Sequence, residues 1–381
     1  MTQNCRGVVS RPPLESGDLD FRLENLSIRD IEDDECLVEI VATGLCHTDL
    51  GVASRPDSIF PRVLGHEGAG YLRKIGNKVN RSPMNLQEGD PVLLSIAFCN
   101  ACPSCRSGHP AYCQSALKLN FAHPGRGTYT MADGKDKNTT VVGGFFGQSS
   151  LGSLAIVDTS CIVNLAGTVK SRDELKMFAP LGCGFQTGAG TVMNLGKACP
   201  SDSVTIIGIG GVGLAGVMAA KIIGCQKIIA IDRIPDRLTL AKELGATHVI
   251  DSSALVGSIE DAVRNVTDGL GSSLTIDTTG NISVIRSAPD MTAILGRVIL
   301  LGMSKQSIDV DITKFKLSGK VLLGSVQGDV IPSQFIPQMI SWHRAGNFPI
   351  EKLVRFYKAS EIATAVADTK NGTTVKPVIL W

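Results

Sequence analysis

Four cysteines fall in one short segment, Cys99-x2-Cys102-x2-Cys105-x7-Cys113. Thiolates are soft ligands, and four so close in sequence suit a closed tetrahedral zinc site, where metal binding is also folding energy for the loop. An iron–sulfur cluster uses similar spacing, but a single cluster motif with no flavin or quinone signal beside it favours zinc. Three more candidate ligands stand elsewhere, in Gly44-Leu45-Cys46-His47, Gly65-His66-Glu67-Gly68 and Gly182-Cys183-Gly184. Cys46, His66 and Cys183 would make a Cys2His set with a fourth position left for water or substrate. Spacing alone leaves this set open, because its members lie far apart. His109, His123, His248 and His343 read as surface or packing residues, and Cys5, Cys36, Cys161, Cys199 and Cys225 as buried or incidental thiols.

A second chemistry is written in Val204-Thr205-Ile206-Ile207 followed by Gly208-Ile209-Gly210-Gly211-Val212-Gly213. Gly208, Gly210 and Gly213 have the G-x-G-x-x-G spacing of a dinucleotide site. The first allows the tight turn, the second clears space beneath the pyrophosphate, and the third lets helix pack on strand. The N–H groups at the helix start, around Gly211 and Val212, face the phosphates. Asp232 lies nineteen residues past Gly213. A carboxylate there holds both ribose hydroxyls and repels a 2′-phosphate, which favours NAD over NADP; Arg233 beside it partly offsets that repulsion.

The elements that must carry these groups change character along the chain. Cys36 to Ala42 reads as a strand running into Thr43–Asp49, a turn with a short helix; Val63 to Leu72 is a turn entering a strand, and Pro91–Leu94 is another strand. Short strands and glycine turns predict a mostly β first domain. From about residue 203 strands and helices alternate: Val204–Ile207, helix Gly211–Ile223, Lys227–Ile231, helix Arg237–Leu244 closed by Gly245, Thr247–Ile250, Ser273–Ile276 and Arg297–Leu301. That alternation predicts an α/β fold with a doubly wound parallel sheet. At 381 residues two domains are expected. The stretch from Trp342 to Trp381 breaks the alternation and is expected to rejoin the first domain. A formal net charge of +1 gives no reason to expect a nucleic-acid or acidic-membrane partner. The apolar run Val204–Ala220 is too short and too glycine-rich for a bilayer span. Eleven cysteines, an odd number, and the absence of a visible targeting segment point to a reduced, cytoplasmic setting.

These motifs resemble the zinc-containing medium-chain alcohol dehydrogenase family. The resemblance rests on Gly44–Asp49, Gly65–Gly70, the four-cysteine loop, Gly182–Gly188 and the glycine loop with Asp232, in family order across nearly the whole chain. Gly182–Gly190 and the Ser149–Ser160 region are most similar to its aryl or benzyl alcohol dehydrogenases. The resemblance implies a GroES-like catalytic domain, residues 1–186 and 326–381, with a Rossmann coenzyme domain, 187–325, inserted in it. It implies two zinc ions per chain: catalytic zinc on Cys46, His66 and Cys183, and structural zinc on Cys99, Cys102, Cys105 and Cys113. Glu67 would be a nearby carboxylate, His47 and Lys376 would face the coenzyme pyrophosphate, Thr187 the nicotinamide, and Arg237 the adenosine ribose.

Family chemistry implies that zinc acidifies the alcohol, Thr48 passes the proton toward the coenzyme ribose, and the carbinol carbon gives hydride to NAD. Several members carry a histidine three residues after the Thr48 position; here it is Gly51, so the proton must leave by His47, water or another group. Ser95, Phe145, Phe146, Leu301 and Met303 would surround the substrate, and a small Ser95 beside aromatic walls fits an aryl or bulky primary alcohol. Phe145 and Phe146 also read as ordinary core. The alternatives are an S-hydroxymethylglutathione dehydrogenase, which the shortened 51–61 segment supports poorly, and a zinc-free NADPH quinone or enoyl reductase, which would lack the ligands. A non-enzymatic structural role would not require the ligands either. Family members imply a homodimer or homotetramer joined through a sheet edge at 297–325, with Val298–Leu301 as the pairing strand.

Overall fold

The structure, a computed structural model, describes residues 2–79, 85–121 and 129–381; His123 lies outside them. The chain divides into two compact units: residues 1–183, 331–341 and 350–381 form the first, and 184–330 with 342–349 the second. The segment 342–349, read from sequence with the first domain, falls in the second unit.

The first unit holds two mainly antiparallel sheets. One orders Arg62–Val63, Gln3–Arg11, Asp20–Ile28, Tyr129–Met131 and Thr140–Val141. The other orders Ile162–Asn164, Pro91–Leu94, Gly68–Ile75, Glu35–Gly44, Lys376–Leu380 and Val354–Lys358, with Leu154–Asp158 also pairing to Glu35–Gly44. The hub is Glu35–Gly44, whose residues are buried except for Glu39. Its register shifts between Ile40 and Ala42 opposite Gly70 and Ala69. Such an irregularity bends a strand and re-aims its continuation, which in this chain is the turn to Cys46. Lys376–Leu380 pairs with the last residues of this strand, Val378 opposite Gly44.

The second unit is built on six parallel strands, ordered His248–Asp251, Lys227–Asp232, Ser203–Ile207, Ser272–Asp277, Thr292–Leu300 and Val321–Gly324. In chain order this is 3-2-1-4-5-6, the doubly wound arrangement. Its inner strands are near-continuous apolar runs, as strands buried on both faces must be. Helix Gly211–Ile223 stops at Gly224, whose φ of 84° lets its N–H return to the Ala220 and Lys221 carbonyls. Helix Pro235–Leu244 starts two residues before the sequence expectation, because proline is welcome in a first helical turn. Asp232 is the last residue of its strand rather than the first after it.

One expectation needs correction. Val298–Leu301 is not an edge: Thr292–Leu300 is paired on both sides, and within 297–325 the edge strand is Val321–Gly324, the sheet's other edge being His248–Asp251. Apolar content marked the interior position, not the rim. Among the described residues no helix is long and apolar enough to cross a membrane.

Candidate functional site: two cysteine-based metal centres and a glycine loop

Cys46 lies two residues past the bent strand and caps helix His47–Ala53. The cap brings in a residue to which the motifs assign no role. Asp49, three positions on, accepts the Cys46 N–H through Oδ2 at 3.0 Å and the Gly65 N–H through Oδ1 at 2.9 Å. The same Oδ1 lies 3.0 Å from His66 Nδ1. One buried carboxylate thus ties the Cys46 turn to the His66 turn and fixes the His66 tautomer with hydrogen on Nδ1. The signal was present in sequence as an acidic residue at the third helical position.

In the neutral ring this leaves the lone pair on Nε2, and that nitrogen is buried with no hydrogen bond to any described residue. Cys46, His66, Glu67 and Cys183 bring their ligand atoms within 4.8 Å of one another. Their electrostatics are those of a cation site. Hydrogen bonding from Cys183, then the His66 ring, hold the Cys46 thiol well below its usual range against the effect of burial. Cys183, the donor of that bond and buried, is pushed well up. Burial disfavours a charged His66 ring, yet Asp49 and Cys46 outweigh it and push it well up. A buried unsatisfied nitrogen among sulfurs and carboxylates fits a metal ion, and the two-sulfur, one-nitrogen donor set fits zinc.

Glu67 is also buried, and its Oε1 accepts a hydrogen bond from Lys376 Nζ at 2.7 Å. Lys376, which the resemblance aims at coenzyme phosphates, therefore places its ammonium on Glu67 and, at 3.3 Å, on the Leu45 carbonyl. A side chain at Gly44 would collide with the Glu67 carboxylate. Thr48 is half-buried with Oγ1 3.8 Å from Cys46 Sγ, and His47 is exposed. Phe146 stacks on the His66 ring at 4.5 Å between centroids, and Phe145 meets it edge-on at 5.6 Å. Ser95 is buried and donates through Oγ to the Gly182 carbonyl at 2.7 Å. Leu301 (half-buried) and Met303 (exposed) come after strand Thr292–Leu300 in the second unit.

In the four-cysteine loop, Sγ of Cys105 lies 3.5 Å from that of Cys102 and 3.9 Å from that of Cys99. Four sulfurs each about 2.3 Å from one zinc stand about 3.8 Å apart at the corners of a tetrahedron. A multi-iron core would have to spread them wider. Sulfur-directed N–H groups prepare the loop: Cys102 N donates to Cys99 Sγ and Cys99 N to Cys113 Sγ, each at 3.3 Å. Backbone N–H groups of Cys105 and Gln114 bring the Cys102 thiol down to about 6, whereas burial pushes Cys105 up to about 12.

In the second unit Gly208 has φ 89°, and a side chain there would strike Thr278. A Cβ on Gly213 would strike the Gly208 carbonyl, but one on Gly210 would meet no protein atom within 4 Å. The protein keeps clear at Gly210 a volume that it does not fill itself, which fits a dinucleotide. Gly211 and Val212 open the helix beside it. Asp232 is buried; its Oδ2 accepts the Ile209 N–H at 2.6 Å and its Oδ1 accepts those of Arg233 and Ile234. Arg233 is exposed, and the Arg237 Nε is buried with no hydrogen bond to any described residue. Thr187 sits half-buried in helix Gly184–Gly190.

Residues 32–166 match the alcohol dehydrogenase GroES-like domain, and residues 211–344 match the zinc-binding dehydrogenase domain. A geraniol dehydrogenase from Castellaniella defragrans is 36% identical over 91% of both chains. The structure of an alcohol dehydrogenase zinc-binding domain protein from Burkholderia ambifaria matches with a TM-score of 0.90 at 37% identity, over 100% of this chain and 99% of that one. Benzyl alcohol dehydrogenase from Acinetobacter calcoaceticus matches with a TM-score of 0.88 at 37% identity, over 99% of each chain. Likeness this extensive spans both units rather than one module, and the chain accordingly belongs to the zinc-containing medium-chain alcohol dehydrogenases, oxidoreductases that act on alcohols.

Proposed function

We propose that this protein interconverts a primary aryl or bulky alcohol and its aldehyde, with NAD as hydride acceptor and two zinc ions per chain. The observation that carries the reading is the buried, unbonded His66 Nε2 between two cysteines, with its tautomer fixed by Asp49. Cys46, His66 and Cys183 would hold the catalytic ion, and Cys99, Cys102, Cys105 and Cys113 the structural one. The chemistry supplied there is Lewis acidity toward an alcohol or carbonyl oxygen from zinc, and a two-electron hydride acceptor from the nicotinamide.

The chain's own residues do the rest. Thr48 Oγ1, close to Cys46, takes the hydroxyl proton and relays it outward; His47, exposed one residue earlier, offers an exit. Phe145 and Phe146 cover the His66 ring and exclude water from it. Gly208, Gly210, Gly211, Val212 and Gly213 receive the pyrophosphate, Asp232 and Arg237 the adenosine ribose, and Thr187 the nicotinamide. Asp232 favours NAD by its charge. Residues 1–186 with 326–381 make up the catalytic domain in this reading, and 187–325 the coenzyme domain.

Geraniol and benzyl alcohol, named for two relatives, are both primary alcohols with an unsaturated carbon next to the carbinol. The aromatic pair beside His66 and the small Ser95 suit that class. A panel of ethanol, benzyl alcohol, cinnamyl alcohol and S-hydroxymethylglutathione, run with NAD and NADP on protein of measured zinc content, tests the proposal. Benzyl and cinnamyl alcohols should lead with NAD at two zinc per chain. Preference for S-hydroxymethylglutathione, or metal-free turnover with NADPH, overturns it.

Gly51 gives a sharper test of the relay. A Cβ at this position meets nothing within 4 Å, so a side chain can begin there without a clash. Gly51→His should raise kcat at pH 7 by about tenfold, a modest share of what a placed acid–base group can supply, and move the pH–rate profile toward lower pH. An unchanged profile means that no relay step is missing.

A homodimer or homotetramer in the cytoplasm is part of the same proposal. Ile294, Leu295, Ile312 and Leu317 are exposed in the second unit, near the chain positions of its free sheet edge, and sedimentation measurements distinguish these assemblies from a monomer.

A further inference from the structure

Tetrahedral zinc requires ligand positions held to a few tenths of an ångström, yet Cys46, His66 and Cys183 sit on three separate turns. Asp49 joins the first two. The connection to the third runs through a residue outside every zinc or coenzyme motif.

Gln148 is fully buried in a loop of unusual backbone. Gly144, Phe146, Gly147 and Ser149 all have positive φ, at 74°, 53°, 68° and 55°. A left-handed conformation at a bulky residue such as Phe146 costs on the order of 1 kcal/mol and persists only where its surroundings enforce it. Here they do. Ser149 Oγ donates to the Val63 carbonyl at 2.8 Å, Leu151 N to Leu64 O at 2.9 Å, and Ser150 N to Gly65 O at 3.0 Å. The loop is stitched along the segment that leads to His66, and its curl turns Gln148 inward.

The Gln148 carboxamide then reaches three backbone groups. Oε1 accepts the Gly68 N–H at 3.1 Å, and Nε2 donates to His66 O at 3.1 Å and Ser95 O at 2.8 Å. Two carbonyls at one end and an N–H at the other admit only this orientation of the amide. Ser95 in turn donates through Oγ to Gly182 O, the residue before Cys183. The path runs His66, Gln148, Ser95, Gly182, Cys183. With Asp49 it closes a framework around all three ligands.

We propose that Gln148 is a positioning residue that holds the His66 and Cys183 sides of the catalytic zinc set at tetrahedral separation. It acts entirely through neutral hydrogen bonds. The inference rests on the reading of Cys46, His66 and Cys183 as a zinc site. Gln148→Met keeps the volume, removes all three bonds and strands two buried carbonyls and an N–H, each costly to leave unmade.

The test is zinc release to a chromogenic chelator, monitored together with the absorption spectrum of the cobalt-substituted protein. The four-cysteine loop is an internal control in the same chain. In Gln148→Met, release from the Cys2His set should be about 10–100-fold faster, the usual effect of removing an outer partner. The cobalt d–d bands of that set should shift, while release from the four-cysteine loop stays at the wild-type rate. Ser95→Ala breaks only the second leg and should give a smaller change in the same direction. If wild type holds both ions and Gln148→Met has unchanged release and spectrum, Gln148 is not a positioning residue. If Gln148→Met loses its four-cysteine zinc as well, it has not folded, and Ser95→Ala decides: wild-type release there overturns the proposal. A wild-type protein holding zinc only on its four cysteines defeats the zinc reading itself, and this inference with it.

Discussion

His66→Ala is expected to reduce turnover by about a thousandfold or more while coenzyme binding is retained. A Lewis acid supplies several kcal/mol of charge stabilisation to a developing oxyanion, and about 4 kcal/mol corresponds to a thousandfold at 1.4 kcal/mol per factor of ten. The substitution leaves two sulfurs, too few for a stable site, and also leaves Asp49 without its imidazole partner. Metal content should fall from two ions to one, the survivor being on the four-cysteine loop. NADH binding, measured by fluorescence, should be unchanged, since the glycine loop and Asp232 belong to the other unit. Asp49→Asn should fall in between, about 10–100-fold down, because the amide keeps a single acceptor oxygen, enough for only one of the Cys46 and Gly65 N–H groups that the two carboxylate oxygens now hold, and it no longer fixes the histidine tautomer by charge. Zinc loss in His66→Ala with turnover still within tenfold of wild type would place the chemistry elsewhere.

Asp232→Asn should lower kcat/KM for NAD by about 10–100-fold and raise it for NADP. Hydrogen bonds from ribose hydroxyls to a charged acceptor contribute about 1.5–3 kcal/mol, and removing the charge also removes its repulsion of a 2′-phosphate. The residue has a second duty that could imitate the first, because Oδ2 anchors the Ile209 N–H inside the glycine loop. The two duties separate in the ratio. Slackening of the loop weakens both coenzymes alike, whereas loss of the carboxylate charge changes NAD relative to NADP. An unchanged ratio, whatever the absolute loss, would assign Asp232 to the loop alone.

Legibility in the sequence depends on how local each feature is. The four-cysteine loop needed only its own spacing, and the parallel sheet only the alternation of apolar strand and helix from Val204 onward. Helix Gly211–Ile223 was readable residue for residue, since glycines mark both ends. The Cys2His set was open on spacing, since its members are joined by contacts that no local pattern encodes. The ties of Asp49 and Gln148 to the His66 segment escaped notice for the same reason: those hydrogen bonds close over 16 to 82 residues. Lys376 takes its expected place from the family pattern, which does not reveal that its buried ammonium needs a counter-charge and finds it on Glu67. Within the expected edge region 297–325 the pairing strand was misassigned because Val298–Leu301 is apolar, and apolar runs in a parallel sheet mark strands covered on both faces.

The pairing of Lys376–Leu380 with the end of Glu35–Gly44 sets an order on biosynthesis. Pro377 O accepts the Leu45 N–H next to Cys46, so the turn bearing that sulfur gains its neighbour only after the ribosome has made almost everything else. The four-cysteine loop has no such wait: its sulfurs lie in one short segment and can capture an ion on the nascent polypeptide. If the chain binds two zinc ions as proposed, their metallation would be staggered, and truncation before residue 376 should yield a protein charged at one centre and vacant at the other.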